Sequence, residues 1–124
     1  MRRRPVIVAV EDDVDGEDAR VTVTLDWAER SWHGQAIGSS SGTARLAGEA
    51  ALEAVEQLTH GSFRAELMAV ATTDVGAARI ALAQVRHGAD EVLVGSALQQ
   101  ESSGGLAAVR AVMDAINRRL ETAL

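Results

Sequence analysis

Two polar loops in this chain place clustered serines directly ahead of apolar, helix-patterned segments. The first runs Gly38-Ser39-Ser40-Ser41-Gly42-Thr43; the second spans Gln99 to Gly105 and holds Ser102 and Ser103. A helix N-terminus exposes unpaired N–H groups and the positive end of the helix dipole, an arrangement that suits a carboxylate or a phosphate. Gly38, Ser39, Ser41, Gly95, Ser102 and Ser103 are therefore the candidate ligand-binding residues, for a small anionic ligand such as a carboxylate. Serine is also a strong N-cap, so helix capping is the competing role. An enzyme built on these loops would need a histidine or a buried carboxylate within hydrogen-bond reach of a serine.

Other chemistry is sparse. Glu11, Asp13, Asp15 and Gly16 match the first half of a calcium loop, but Thr22 stands at the twelfth position, where a bidentate acid is required. A solvated acidic hairpin is the better reading. His33, His60 and His87 are scattered, and none has a second ligand at metal-binding helical spacing. All twelve basic residues are arginine and there is no cysteine. This removes Schiff-base and phosphate-loop lysines, thiol catalysis and disulfides. No catalytic residue, metal ligand or cofactor is expected.

The chain has 124 residues and a net charge of −6. That size fits one domain over residues 1–124, and that charge argues against a nucleic-acid surface. No apolar run approaches the length of a membrane span. Met1 to Arg4 form a basic tail, and the apolar stretch that follows is too short for a secretory signal; a cytoplasmic location is expected. Trp27, Trp32 and Phe63 are the only aromatic residues in an alanine-rich sequence. Burial per residue is correspondingly small, and a partner surface would add to it.

The elements that position the loops can be read from periodicity. Val6 to Val10 is a β-branched apolar run, ended by the polar stretch Glu11 to Asp18. Arg20 to Trp27 alternates as a half-buried strand. Ala28 to Ser31 reads as a hairpin loop, from which Trp32 to Ile37 returns with Trp32 opposite Trp27. Ala44 to Leu58 carries apolar residues at helical spacing. The plan then repeats: a strand over Phe63 to Thr73, a turn at Asp74-Val75-Gly76, a hairpin of Arg79 to Arg86 and Glu91 to Leu98, and a helix over Leu106 to Leu120. The expected fold is α+β, a tandem βββα-βββα pseudo-repeat with antiparallel sheets and helices on one face, the repeats covering about 5–60 and 61–122.

Equivalent residues recur at an offset of 61. Gly34-Gln35-Ala36-Ile37 falls on Gly95-Ser96-Ala97-Leu98, and Ala47, Ala50, Glu53 and Ala54 fall on Ala108, Ala111, Asp114 and Ala115. Val6 to Val10 is set against Leu67 to Ala71, with compensating two-residue changes in the loops between. Glycine in a strand marks a close approach by a backbone or ligand, so Gly34 and Gly95 should lie beneath their helices or near the ligand loops. The second-unit strands are apolar on both faces, whereas a sheet covered on one face is normally polar on the other. Val92, Val94 and Leu98 are the candidate interface residues of a homo-oligomer. Trp27 and Trp32 join them as partner anchors or, alternatively, as a cross-strand pair that braces the first hairpin.

The element order and the ending Ala111-Val112-Met113-Asp114-Ala115-Ile116-Asn117-Arg118-Arg119-Leu120 resemble the C-terminal regulatory (allosteric dimerisation) domain of 2-isopropylmalate synthase and citramalate synthase. That family closes on a helix reading close to Ala-x-x-x-Ala-x-x-Asn-Arg-x-Leu; Ala111, Ala115, Asn117, Arg118 and Leu120 stand for it here. The resemblance spans roughly residues 5 to 122 and is more specific in the second half. Ala36 and Ala97 occupy positions where the family usually has a second glycine. The resemblance implies a non-catalytic module that dimerises and holds a small effector at the loops Gly34 to Thr43 and Gly95 to Gly105. The catalytic barrel that precedes the domain in that family has no counterpart in these residues, so no synthase activity is implied.

Overall fold

The computed structural model describes residues 4–99 and 104–124. Val6–Asp15 (β1), Asp18–Trp27 (β2) and Arg30–Ser39 (β3) form one antiparallel meander. A 3-10 turn at Ser40–Gly42 leads into Thr43–Leu58 (α1). Ala65–Val75 (β4), Ala78–His87 (β5) and Glu91–Leu98 (β6) form the second meander, followed by Gly104–Ala123 (α2). Each sheet has three strands, in the orders β1-β2-β3 and β4-β5-β6. The fold is thus α+β with the βββα-βββα order.

The helices are buried on more than one side. Ala50 and Ala54 of α1 lie against Gly34 of β3. On the other side of the same helix, Gly48 faces Leu67 and Val70 of β4 and Val112 of α2. The helices therefore fill the space between the two sheets, which explains why small residues dominate them. Val21, Val23, Leu25, Val85, Val109, Val112, Ile116 and Leu120 are fully buried and belong to one continuous core shared by both units.

Gly34 and Gly95 carry the repeat in its most exacting form. A Cβ on Gly34 would sit 2.0 Å from the Ala50 carbonyl oxygen and 2.4 Å from the Ala54 nitrogen; on Gly95 it would sit 2.1 Å from the Ala111 oxygen and 2.3 Å from the Ala115 nitrogen. The residue after each glycine is also held alike. Gln35 N–H donates to Glu53 Oε1 at 3.3 Å, and Ser96 N–H donates to Asp114 Oδ2 at 2.9 Å. All these pairs share the offset of 61.

Upstream the offset is 60, not 61. The register irregularity between Ile7 and Ala9 in β1 matches that between Leu67 and Ala69 in β4, and buried Val21, Val23 and Leu25 match Ala81, Ala83 and Val85. The difference arises in the second hairpins. Trp27 pairs with Arg30 across the two residues Ala28-Glu29, whereas His87 pairs with Glu91 across three. One inserted residue replaces the compensating two-residue changes expected from sequence.

Three further expectations are corrected. The acidic stretch does not end β1; the strand runs to Asp15 and turns at Gly16-Glu17. Likewise β4 starts at Ala65 and continues through Val75, so the turn is Gly76-Ala77. Trp32 faces Leu25 rather than Trp27, because Ala28 and Glu29 both adopt positive φ (53° and 63°) and close a two-residue turn. That geometry usually selects Asn and Gly, so its sequence signature is missing here.

Candidate functional site

The first serine loop is satisfied from within. Ser39 closes β3, and its Oγ accepts from Ser41 N–H at 3.2 Å and lies 2.8 Å from Ser41 Oγ. Ser40 N–H donates to the Glu17 carbonyl at 2.9 Å, tying the loop to the first hairpin turn. At Gly38 an added Cβ would meet Leu46 Cδ2 at 2.9 Å, so this glycine seats the first turn of α1. No histidine or buried carboxylate bonds Ser39 or Ser41 among the described residues. In the second loop, Gly95 lies under α2, while Ser102 and Ser103 fall outside the described residues. The sequence-predicted ligand residues are therefore split between two separate loops, one for each unit.

The sheets differ most on the faces turned away from the helices. On the first, the cross-strand rows are Val6–Asp26–Ser31, Ala9–Thr24–His33, Glu11–Thr22–Gln35 and Asp13–Arg20–Ile37. Side-chain hydrogen bonds knit these rows: Thr24 Oγ1 lies 3.0 Å from His33 Nδ1, Gln35 Nε2 donates to Thr22 Oγ1 at 3.3 Å, and Ser31 Oγ donates to Asp26 Oδ1 at 2.6 Å. Three acids stand here against one arginine. The centre of this face is polar and bonded within itself, with Ile37 and Val6 at opposite ends.

On the second sheet the rows are Glu66–Arg86–Val92, Ala69–Gln84–Val94, Ala71–Leu82–Ser96 and Thr73–Ile80–Leu98. Three of the four rows carry no charge, and Glu66 pairs with Arg86 in the remaining one. Val94 is 65% exposed, and Val92 and Leu98 are exposed beside half-buried Ile80 and Leu82. The structure thus brings the predicted interface residues Val92, Val94 and Leu98 onto one surface. It adds Ile80 and Leu82, whose position on the face away from α2 follows from the alternation of β5.

Trp27 and Trp32 lie elsewhere. Both are half-buried against the core at the far end of the first hairpin. Trp32 Nε1 donates to the Trp27 carbonyl at 3.4 Å, Arg30 covers the Trp32 ring at 4.8 Å, and His60 meets that ring edge-on at 5.5 Å. The corresponding end of the second unit is built differently. Phe63 stacks on His87 at 4.6 Å; His87 Nδ1 lies 3.1 Å from Glu91 Oε1; Arg119 holds both oxygens of Glu91. The hydrogen bonds from Arg119, and then the one from His87, pull the Glu91 carboxyl from the usual 4.5 down to about 2. The same pairing raises the Arg119 guanidinium.

An open groove of about 750 Å³ runs between α1 and the start of β4, lined by Arg45, Glu49, Glu53, Glu56, Glu66 and Arg86 among others. Most of its charges are matched, Arg45 with Glu49, Glu56 with Arg64 and Arg86 with Glu66, while Glu53 accepts from the Gln35 amide. Among the described residues no group of histidines and acids is placed to hold a metal, and no helix is long and apolar enough to cross a membrane. No known family model and no curated protein matches the chain.

Proposed function

We propose that this chain is an assembly module that associates with a second copy of itself through the outer face of its second sheet. The observation that carries this reading is the contrast between two sheets with one interior plan. A sheet covered by helices on one face normally presents polar residues on the other; the first sheet does so and the second does not. Charge favours a like partner on the second face. A chain of net charge −6 repels its own copies, and the first sheet's outer face adds to that repulsion. The second sheet's outer face is neutral in sum, with its only charges paired. A surface without net charge can meet itself across a two-fold axis, the commonest symmetry of self-association, with the two sheets stacking about 10 Å apart. The resemblance to a dimerising regulatory domain points the same way.

Sedimentation equilibrium at tens of micromolar tests the proposal. Val94→Arg should halve the sedimenting mass without altering far-UV circular dichroism, because Val94 is exposed in the single chain. A variant that folds and keeps the native mass would overturn the reading.

A further inference from the structure

The outer face of the second sheet is uneven both along and across its strands. Its charged residues share one end row, where Arg86 bonds Glu66. At the opposite end Val75 and Ala78 are paired across β4 and β5. Side-chain size is graded from β4 to β6. In the row Ala69–Gln84–Val94 the smallest residue is on β4 and a larger one on β6, and Thr73–Ile80–Leu98 repeats that order. Ala69, Ala71 and Thr73 on β4 and Val94, Ser96 and Leu98 on β6 are all exposed. A face graded in this way accepts its own copy better in one orientation than in another.

We propose that two copies meet face to face about a two-fold axis running along β5, so that β4 of one copy lies over β6 of the other and both Glu66–Arg86 rows fall at the same rim. This geometry rests on the association proposed above. Sheets that stack in alignment keep their strands within about 30° of each other, so the axis runs either along the strands or across them. An axis along β5 lays Val94 over Ala69 of the second copy and Leu98 over its Thr73, large against small, while Leu82 and Ile80 meet their own counterparts. An axis across the strands, through the row of Leu82, would set Val94 over Leu98 and Ala69 over Thr73. That crowds one side of the contact and leaves a gap on the other, and both are costly at native packing density. Charge gives the same answer. An axis across the strands buries each Glu66–Arg86 pair beneath Val75 and Ala78 of the other copy, and an ion pair taken out of water loses hydration that its own attraction repays poorly. An axis along β5 keeps both pairs at the rim. There each Arg86 leans toward its own Glu66 on β4, and the two β4 strands lie on opposite sides of the axis, so the guanidinium groups are held apart.

The chain has no cysteine, so introduced thiols report the orientation. Ala71→Cys and Ser96→Cys fall in the central row, at exposed positions where one small side chain replaces another. Both variants should keep the native circular dichroism and sedimenting mass. Sheets stacked about 10 Å apart exceed the reach of a direct disulfide, so a short bis-maleimide is the probe. With the axis along β5, position 71 of one copy lies over position 96 of the other. An equimolar mixture of the two variants, after subunit exchange, should therefore cross-link several-fold faster than either variant alone. Each variant cross-linking alone, with the mixture no faster, overturns the axis along β5 and leaves association through this face standing. Dimeric variants that cross-link in no combination overturn both, as does a native chain that sediments as a monomer. Charge supplies a second measurement. Glu66→Arg gathers four arginines at one rim, so its dimer should be several-fold weaker at 0.1 M NaCl and recover at 1 M, where the screening length falls from about 10 Å to about 3 Å. Weakening that salt does not relieve overturns the orientation, because the arginines would then lie at opposite ends of the contact.

Discussion

Gly34 and Gly95 meet their helices at nearly identical distances, yet the strands around them are unlike on the opposite face. Thr22, Thr24, Gln35 and His33 form hydrogen-bonded pairs on the first sheet; on the second, Val94 and Leu98 are exposed beside half-buried Ile80 and Leu82. The inward halves of the two units are bound by the same constraint, a backbone-on-backbone contact between strand and helix that admits no side chain. Nothing in the helix layer constrains the outward halves. They have been free to diverge, one into a self-satisfied polar surface and the other into an apolar one.

The largest expected effects test the shared half. Gly34→Ala and Gly95→Ala each force a methyl group into backbone atoms about 2 Å away, which no rotamer change can relieve. Each should cost more than about 3 kcal/mol in urea unfolding, at or beyond the upper end of ordinary overpacking. Similar losses at both sites would establish that the two strand–helix contacts are equivalent in energy as well as in geometry. A loss confined to one site would break the comparison.

The divergent half is tested by exchanging surface character. Leu82→Thr with Val94→Thr should lower self-association at least roughly tenfold, by removing apolar area from the contact. Thr22→Val with Gln35→Val should create new association through the first sheet, because it exposes a larger apolar patch there. Analytical ultracentrifugation of both double variants reads these changes. No change in either would mean that outer-face character does not govern association.

Much of the interior plan was legible in sequence because it rests on periodicity. Val21, Val23 and Leu25 alternate as buried strand residues do, and Leu46, Ala47, Ala50, Ala54 and Leu58 recur at helical spacing; all are buried. Less legible features were local breaks in that periodicity. The bulges at Val8 and Met68 leave no compositional mark. The acidic half of β1 reads as loop because Glu11 to Asp15 are all exposed at the sheet edge, where pairing with β2 holds them extended without any buried apolar residue to mark the strand. The Ala28-Glu29 turn lacks the glycine or asparagine that announces positive φ, so the Trp32 register came out displaced. Of the candidate surface, Val92, Val94 and Leu98 were readable from two-faced strand patterning.

The two second hairpins allow a smaller test. Glu29 sits at φ 63° without being glycine, whereas Gly88 sits at φ 69°. A non-glycine residue in this region costs roughly 1–2 kcal/mol. Glu29→Gly should therefore stabilise the first unit by about 1 kcal/mol, and Gly88→Ala should destabilise the second by about the same amount. Thermal unfolding reads both, and shifts of the same sign would contradict the assignment of strain to the first turn.

The smallest effect separates the units by pH. The first is fastened at its hairpin end by Arg30 over Trp32, a cation–π contact that involves no carboxylate. The second is fastened by Glu91, held between Arg119 and His87. Because the folded-state value of Glu91 is lowered from 4.5 to about 2, its contribution is fully present above about pH 4.5. It declines as pH falls through this window and is gone below about pH 2. Glu91→Gln should therefore lower stability at neutral pH, and its difference from the native chain should shrink to nothing over the same interval. Arg30→Gln should show a deficit that does not change across that interval, since its contact with Trp32 involves no carboxylate. Urea midpoints measured at several pH values between 2 and 6 would read both. A Glu91→Gln deficit that persists at pH 2 would mean that packing, and not the ion pair, fastens the second unit.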